Sequence, residues 1–480
     1  MTNYTSKQNK LKNENKSGGR WFCICLFWLA IWFFGAMAVN NSLLLPTPLD
    51  TVKAFLGLCT LKKFYLNIGW TMIRCLLAIL LSFLLGLIAA GISHKSQLAK
   101  NILSLPVGFF KAVPVMAVII YVILIIKSDW VAVIVCFFMC FPIVYTNMLT
   151  GLDSMSEEYL EVGYICSFDW RQRIRYIYLP ALLPQIKAST SLIAGLSWKA
   201  VVAAEVLSIP KYSLGYEMMN SKYYLDSPQL FAYIGTIVAL SLSFEKIIKK
   251  TMASIEWKDY TGTKLKPGKP PKNLLRRQRI DSPTVSLKHV YKAFDGKPVL
   301  DDINITFEKN KITALSGPSG KGKTTIARLI CGFILPDKGF VSVEGDTSCK
   351  PAILFQEDRL FPWLNIYDNM YIALINSGLS FMETDKIIAQ MLEYLELQEA
   401  RHMLPKELSG GMKSRCALGR TLLLDSNLVI LDEPFKGLND EMKKRIVDRI
   451  WDKYMKNKTV IIISHNIEDI TSLSDTQVKI

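Results

Sequence analysis

The chain has 480 residues, enough for two or three domains, and half of it is hydrophobic, with the apolar residues concentrated before residue 250. Its formal net charge of +16 invites a nucleic-acid reading, but no aromatic–basic interleaving suggests base stacking. Excess Lys and Arg is what the cytoplasmic loops and juxtamembrane segments of membrane proteins carry, so a lipid bilayer is the expected partner and nucleic acid is not.

Residues 1–20 are polar and basic and read as a cytoplasmic N-terminal tail. Residues 21–39 carry no charge and are long enough to span a bilayer. Ala36-Met37-Ala38 could pass for a signal-peptidase site, but the run is long for a signal segment and further spans follow, so an uncleaved anchor is expected. Apolar runs at 68–92, 103–126, 130–150, 183–209 and 229–247 bring the number of spans to about six. The third is interrupted by Pro106, Lys111 and Pro114. Such breaks are tolerated where neighbouring helices re-satisfy the freed backbone groups.

Charges in alternate loops set the orientation. Lys95 and Lys100, then Arg171, Arg173, Arg175 and Lys187, then Lys246, Lys249 and Lys250 join the basic N-terminal segment on the cytoplasmic side. The loops near 45–65, 127–128 and 210–228 are then outside. The expectation is a multi-pass protein of the plasma (inner) membrane, with its N-terminus and its C-terminal half in the cytoplasm. Lys199 and Glu205 fall inside the fifth span, where charge is expensive and functional by default. Six residues apart, they point about 240° apart on a helix, so they are not a mutual pair. Glu205 falls near the outer end, within reach of water. Cys75, Cys136 and Cys140 lie inside spans and read as small buried hydrophobes. No Cys-x-x-Cys pair or histidine spacing suggests a metal site.

Residues 157–180 read Glu-Glu-Tyr-Leu-Glu-Val-Gly-Tyr-Ile-Cys-Ser-Phe-Asp-Trp-Arg-Gln-Arg-Ile-Arg-Tyr-Ile-Tyr-Leu-Pro. They resemble the EAA loop of ABC importer permeases, which forms a short coupling helix docked in a groove of the ATPase. The resemblance puts Glu161 at the Glu position and Leu179-Pro180 at the closing pair. Ser167 stands where the family usually has Gly, and Val162 and Gly163 replace its two alanines. With Pro46, Pro48 and the segment Leu196–Val206, residues 40–250 are similar to the nitrate/sulfonate/taurine type of permease. Members of that class also carry bicarbonate, aromatic acids or vitamin precursors.

Residues 251–283, with Lys264-Leu265-Lys266-Pro267-Gly268-Lys269-Pro270-Pro271-Lys272, read as a basic, partly extended linker. From Thr284 the pattern becomes α/β. Short apolar runs at 312–316, 352–355, 428–431 and 460–463 alternate with helical stretches, as in a parallel sheet covered by helices.

Gly317-Pro318-Ser319-Gly320-Lys321-Gly322-Lys323-Thr324, followed by Thr325, fits the Walker A pattern between a strand and a helix. The backbone N–H groups of such a loop and the helix N-terminus bind phosphate; Lys323 would reach the β- and γ-phosphates and Thr324 would ligate Mg²⁺. Leu428-Val429-Ile430-Leu431-Asp432-Glu433 resembles Walker B, implying Asp432 on Mg²⁺ and Glu433 as general base or orienter of water. Gln356 resembles the Q-loop glutamine, which touches both metal and water, and His465 the switch histidine. Phe294, with Tyr291 close by, resembles the adenine-stacking aromatic. Leu408-Ser409-Gly410-Gly411-Met412 is close to the ABC signature. The order of these elements is that of the ABC ATPase family, and the resemblance covers 284–480. It implies that Ser409, Gly410 and Gly411 of one chain close over ATP held by another. Asn439 departs from the usual D-loop Asp, and Met412 from the usual final Gln of the signature.

The expected architecture is multi-domain: a type I importer-like α-helical transmembrane bundle, then an α/β P-loop ABC ATPase. The domains are a tail (1–20), a permease (21–250, coupling loop about 156–180), a linker (251–283) and an ATP-binding domain (284–480). The expected function is ATP-driven import of a small, anionic or organic solute by a homodimer, with ATP and Mg²⁺ as cofactors and an extracytoplasmic solute-binding protein as partner. A half-size exporter and a membrane-anchored regulatory ATPase are the alternatives.

Overall fold

The computed structural model describes residues 23–24, 26–255, 282–318, 320–344, 350–465 and 473–480. The N-terminal tail, the start of the first span, most of the linker and Ser319 lie outside the described residues. The chain divides into two compact units, Met1–Ser154 with Leu182–Ile255, and Met155–Ala181 with Glu256–Ile480. The loop resembling the EAA element therefore folds with the C-terminal α/β half.

The first unit is helical. It contains α1 (Leu26–Val39), α2 (Pro48–Cys59), α3 (Lys62–Lys95), α4 (Gln97–Ala112), α5 (Val115–Ile125) and α6 (Ser128–Asp153). After α7 (Glu157–Ile165) and α8 (Trp170–Arg173) come α9 (Leu179–Ser208), α10 (Leu214–Tyr223) and α11 (Ser227–Ser254). Four helices among the described residues are long and apolar enough to cross a membrane: Lys62–Lys95, Ser128–Asp153, Trp170–Ser208 and Ser227–Ser254. The expected third span is not straight. The pair α4 and α5 is bent by 109°, which corrects the single run 103–126. The cause is Pro114, which lacks an N–H and forces Val113 into an extended conformation at ψ 131°.

Helix α3 is built for lipid on one side and protein on the other. Leu76, Leu80, Leu84 and Leu87 are exposed, while Asn67, Thr71, Arg74, Ala78 and Ser82 are buried at helical spacing. Small residues let backbones approach closely. A Cβ at Gly86 would stand 2.8 Å from Val144 Cγ1 of α6.

Glu205 corrects an expectation. It is fully buried rather than within reach of water. Its carboxylate accepts from Arg74 Nη1 at 2.8 Å, Thr71 Oγ1 at 2.9 Å and the Gly215 amide at 3.2 Å. Lys199 is exposed and takes no part, as the helical angle required.

The second unit holds two sheets. Strands β1 (Thr284–Phe294), β2 (Lys297–Phe307) and β4 (Lys338–Glu344) pair antiparallel in the order β2-β1-β4. The parallel sheet runs β5-β6-β7-β3-β8, with β3 Ile312–Ser316, β5 Ala352–Leu354, β6 Leu428–Asp432, β7 Thr459–Ile463 and β8 Thr476–Lys479. Every residue of β6 and β7 is buried, as continuous apolar runs in a covered parallel sheet require. Its helices are α12 (Lys323–Ile330), α13 (Ile366–Leu374), α14 (Phe381–Tyr394), α15 (Gly410–Leu422), α16 (Asp440–Ile446) and α17 (Asp452–Met455).

The loop 155–181 has a specific closure. Phe168 N donates to Gly163 O at 2.9 Å and Ser167 N to Tyr164 O at 3.0 Å, a Schellman end to α7. That motif puts Ser167 in the left-handed region at φ 56°, which explains why glycine is the usual residue there. Asn376 Nδ2 donates to the Ser167 carbonyl at 2.9 Å. A π-turn at Ile174–Tyr178 follows α8. Pro180 has no N–H for the Tyr176 carbonyl four residues back, and Trp363 Nε1 donates to that carbonyl instead at 2.9 Å. Tyr159 packs against both Phe361 and Trp363, with ring centroids 5.5 and 5.1 Å away, and those two rings stack on each other at 5.5 Å.

Two outcomes follow for stability. Ser167→Gly is expected to stabilise the second unit by about 0.5–1 kcal/mol, the left-handed strain less the entropy of glycine. A lowered unfolding midpoint would contradict it. Glu205→Ala leaves Arg74 buried without its carboxylate and should cost about 3–5 kcal/mol. Lys199→Ala should change the melting temperature in detergent little; equal losses from both variants would refute the buried pairing.

Candidate active site

The parallel sheet aligns three chemical elements at one end. Asp432 is in register with Ile463, and Leu315 with Ile463, so the turns after β3, β6 and β7 begin side by side. In open α/β sheets the carboxyl ends of the strands are where ligands bind.

The loop from Gly317 to Gly322 leaves β3 and enters α12. Gly322 is the N-cap of α12 at φ 84°, and a Cβ there would collide with Leu300 of β2. Only glycine fits both demands. Lys323 is buried, and its ammonium donates to the carbonyls of Gly317 at 2.8 Å and Pro318 at 2.9 Å. Gly320 has φ 83°, Lys321 is exposed and Thr325 is half-buried. Of the loop residues expected to hold phosphate, Ser319 lies outside the described residues.

Thr324 Oγ1 donates to Asp432 Oδ2 at 2.8 Å. Burial pushes the Asp432 carboxyl above the usual carboxylate range; the Thr324 hydroxyl pulls it down, the neighbouring Glu433 pushes it up, and the Lys323 ammonium pulls it down again. A buried carboxylate supported chiefly by a hydroxyl, with a second acid beside it, fits a divalent cation. Glu433 sits at φ 52°, its amide donating to Ile463 O at 2.8 Å, a conformation that turns its carboxylate off the strand end. Glu433 Oε1 lies 3.6 Å from His465 Nε2, so the two residues expected to handle water meet across the ends of β6 and β7.

The remaining expected residues are distributed around this centre. Gln356 follows β5 with its side chain exposed, and its carbonyl accepts from Lys436 Nζ at 3.5 Å. Phe294 ends β1, is 44% exposed and lies 5.5 Å from the Lys292 ammonium, while Tyr291 is half-buried. An exposed aromatic face can stack on a base. Ser409 is the N-cap of α15, its Oγ accepting from Met412 N at 3.3 Å, and both Ser409 and Gly410 are exposed. A Cβ on Gly411 would stand 3.0 Å from the Gly437 carbonyl oxygen, so signature and D-loop touch. Asn439 caps α16, its Oδ1 accepting from Met442 N at 2.9 Å; the amide supplies the acceptor the cap needs without a charge.

Residues that the sequence reading missed tie the loop 155–181 to this centre. Glu161 is 12% exposed. One oxygen pairs with Arg328 Nη2 at 2.5 Å, and the other with Arg359. Leu179 and Pro180 begin α9. Arg328 lies on α12, one turn beyond Thr324. Arg359 follows Gln356, and its carbonyl accepts from the buried Arg420 of α15 at 2.9 Å. Arg420 also donates to the Asp358 carbonyl at 3.1 Å, and Ser414 of α15 to the Asp358 carboxylate at 2.9 Å. No sequence signal pointed to Arg328 or Arg359, because the low exposure of Glu161 and what faces it are set by the fold.

Both halves of the chain match known families. Residues 300–436 match the family profile described as ABC transporter, and residues 82–248 the profile described as binding-protein-dependent transport system inner membrane component. The taurine import ATP-binding protein TauB of Escherichia coli O157:H7 is 35% identical over 193 residues, covering 38% of this chain and 74% of that protein. TauB of Shigella dysenteriae serotype 1 is 34% identical over the same length. Among solved structures, the ATP-binding cassette MJ0796 in a dimeric post-hydrolysis state with ADP and Pi matches at TM-score 0.38 and 23% identity, over 41% of this chain and 94% of that one. The chain belongs to the ABC transporter family: a multi-pass membrane protein in which an importer-type permease region is fused to an ABC ATPase.

Proposed function

We propose that this chain imports a small anionic or organic solute, of the class that includes nitrate, sulfonates and taurine, using ATP. The taurine importers named among its relatives support that class of substrate. The working unit is a homodimer, and an extracytoplasmic binding protein delivers the solute. The observation that carries the reading is Glu161, which bridges Arg328 of the phosphate-loop helix and Arg359 of the segment after Gln356. A permease loop anchored on both nucleotide-sensing segments is what coupling requires.

In this reading, the backbone N–H groups of the loop that ends at Thr325, Pro318 apart, and the Lys323 ammonium hold the phosphates of ATP. Thr324, Asp432 and Gln356 hold Mg²⁺. Phe294 stacks on the base. Mg²⁺ and the triphosphate, when bound, supply the electrophile and the leaving group. Glu433 holds the attacking water and takes its proton, with His465 3.6 Å away steadying the γ-phosphate side. Ser409 and Gly410, which are exposed, close with Gly411 over the partner's nucleotide. Closure moves Arg359 through its carbonyl bond to Arg420, and Glu161 carries that movement into the spans.

Uptake of a labelled organosulfonate into cells expressing the chain with its binding protein tests this. Glu433→Gln should lower uptake by about 100-fold or more while ATP still binds, the usual weight of a general base. Lys323→Ala should abolish nucleotide binding. Glu161→Ala should leave ATP hydrolysis within severalfold of the parent and remove uptake. Equal accumulation with Glu433→Gln would defeat ATP-driven import. Loss of solute from loaded cells would indicate an exporter, and hydrolysis with no flux in either direction a regulatory ATPase.

A further inference from the structure

A cavity of about 330 Å³ lies in the first unit, where the N-terminal part of α3 and the start of α6 meet the loop after α9. Arg74 lines it, with a side chain only 5% exposed. Its Nη1 donates to Glu205 Oε1 at 2.8 Å and to the Tyr212 carbonyl at 2.7 Å, and its Nε to the Asp129 carbonyl at 3.3 Å. Those bonds occupy three of the five guanidinium N–H groups. Both remaining donors are on Nη2. The Asp129 carboxylate stands 3.6 Å from Nη2, an ion pair beyond hydrogen-bond reach, on a side chain 64% exposed.

A buried guanidinium thus presents one open edge to a cavity. The walls are aromatic: Trp70, Trp130 and Tyr212. Lys211 stands at the rim, exposed, with its ammonium 5.5 Å from the Tyr212 ring. Glu205 balances the charge of Arg74 on the side away from the cavity and fixes the plane of the fork. Asp129 is the one acid lining the cavity and competes for the open edge. The size suits a small organic molecule. A planar fork with two parallel donors suits a carboxylate, sulfonate or phosphonate head, and the rings suit an apolar body.

We infer that this cavity binds a small organic anion, its head on Arg74 Nη2 and Lys211 and its body against Trp70 and Trp130. By the orientation proposed above it lies at the outer end of the spans, so it would be a subsite for the arriving solute; that purpose rests on the import reading, and the binding itself does not. An anionic lipid headgroup carries the same chemistry.

The test is calorimetric titration of the full chain in phosphatidylcholine nanodiscs with benzenesulfonate, and with benzyltrimethylammonium as a cation of similar bulk. The anion should bind saturably and the cation should not. Removing the competing acid with Asp129→Asn should tighten anion binding about fivefold, and removing the rim cation with Lys211→Ala should weaken it about fivefold. Both side chains are exposed, so neither change endangers folding as loss of Arg74 would. Absence of saturable anion binding, equal binding of the cation, or wild-type affinity in both variants would overturn the site. Repeating the titration with phosphatidylglycerol in the disc separates the sources. A weakened apparent affinity keeps the site and makes a headgroup its occupant; an unchanged affinity keeps it for a soluble anion. If organosulfonate uptake fails while benzenesulfonate binds, the import reading falls alone. If uptake stands and no anion binds, only this site falls.

Discussion

The contact on which the rest of the structure depends is Glu161 between Arg328 and Arg359. A carboxylate 12% exposed must be paired, and removing one partner of such a pair costs about 3–5 kcal/mol. The two arginines come from different segments: α12, which starts at Lys323, and the stretch after Gln356. Arg420 of the signature helix holds the carbonyls of Arg359 and Asp358. One acid of the loop 155–181 is therefore linked to α12 and to the stretch after Gln356, and through Arg420 to α15. In the coupling proposed above, a displacement of α15 or of the Gln356 segment would change the geometry around Glu161.

Rigidity around that acid comes from closures that leave few alternatives. The left-handed turn at Ser167 is retained against its own preference because α7 ends there and Asn376 holds the turn's carbonyl. The carbonyl left over by Pro180 is taken by Trp363. Tyr159 joins the stacked pair Phe361 and Trp363 in one aromatic cluster. The Ser167 turn closes the C-terminal end of α7, which carries Glu161, the aromatic cluster holds Tyr159 near its N-terminal end, and the Trp363 bond secures the turn that follows. A rigid lever transmits a small movement; a flexible loop would absorb it.

Much of this was legible in the sequence. Strand runs, the glycine-rich loop and the acidic strand end have periodicity and spacing that local physics dictates, and the structure brings Lys323, Thr324, Asp432, Glu433 and His465 to neighbouring strand ends. The bend between α4 and α5 was half-legible, since Pro114 marks a break but not its angle. What could not be read were the partners. Arg74 stands in the middle of an apolar run, and only the fold shows that Glu205, 131 positions later, faces it. Arg328 and Arg359 look like surface charges until the loop 155–181 is seen against them. Periodicity reports which face of an element is buried; it does not report what lies opposite.

Three buried carboxylates show how the surroundings divide one chemistry into different tasks. Glu205 is fully buried and answered by a guanidinium, a hydroxyl and an amide, which makes it a fixed structural tie. Glu161 is answered by two guanidinium groups on two different segments, α12 and the stretch after Gln356, which makes it a joint between them. Asp432, 3% exposed, accepts a hydroxyl from Thr324 and has another acid next in sequence, which leaves its charge the least compensated of the three. Burial raises its proton affinity. A divalent cation would offset that charge. In the coupling proposed above, the deficit at Asp432 is where ATP and its cation change the electrostatics of the ATPase, and the Glu161 joint is where that change leaves it.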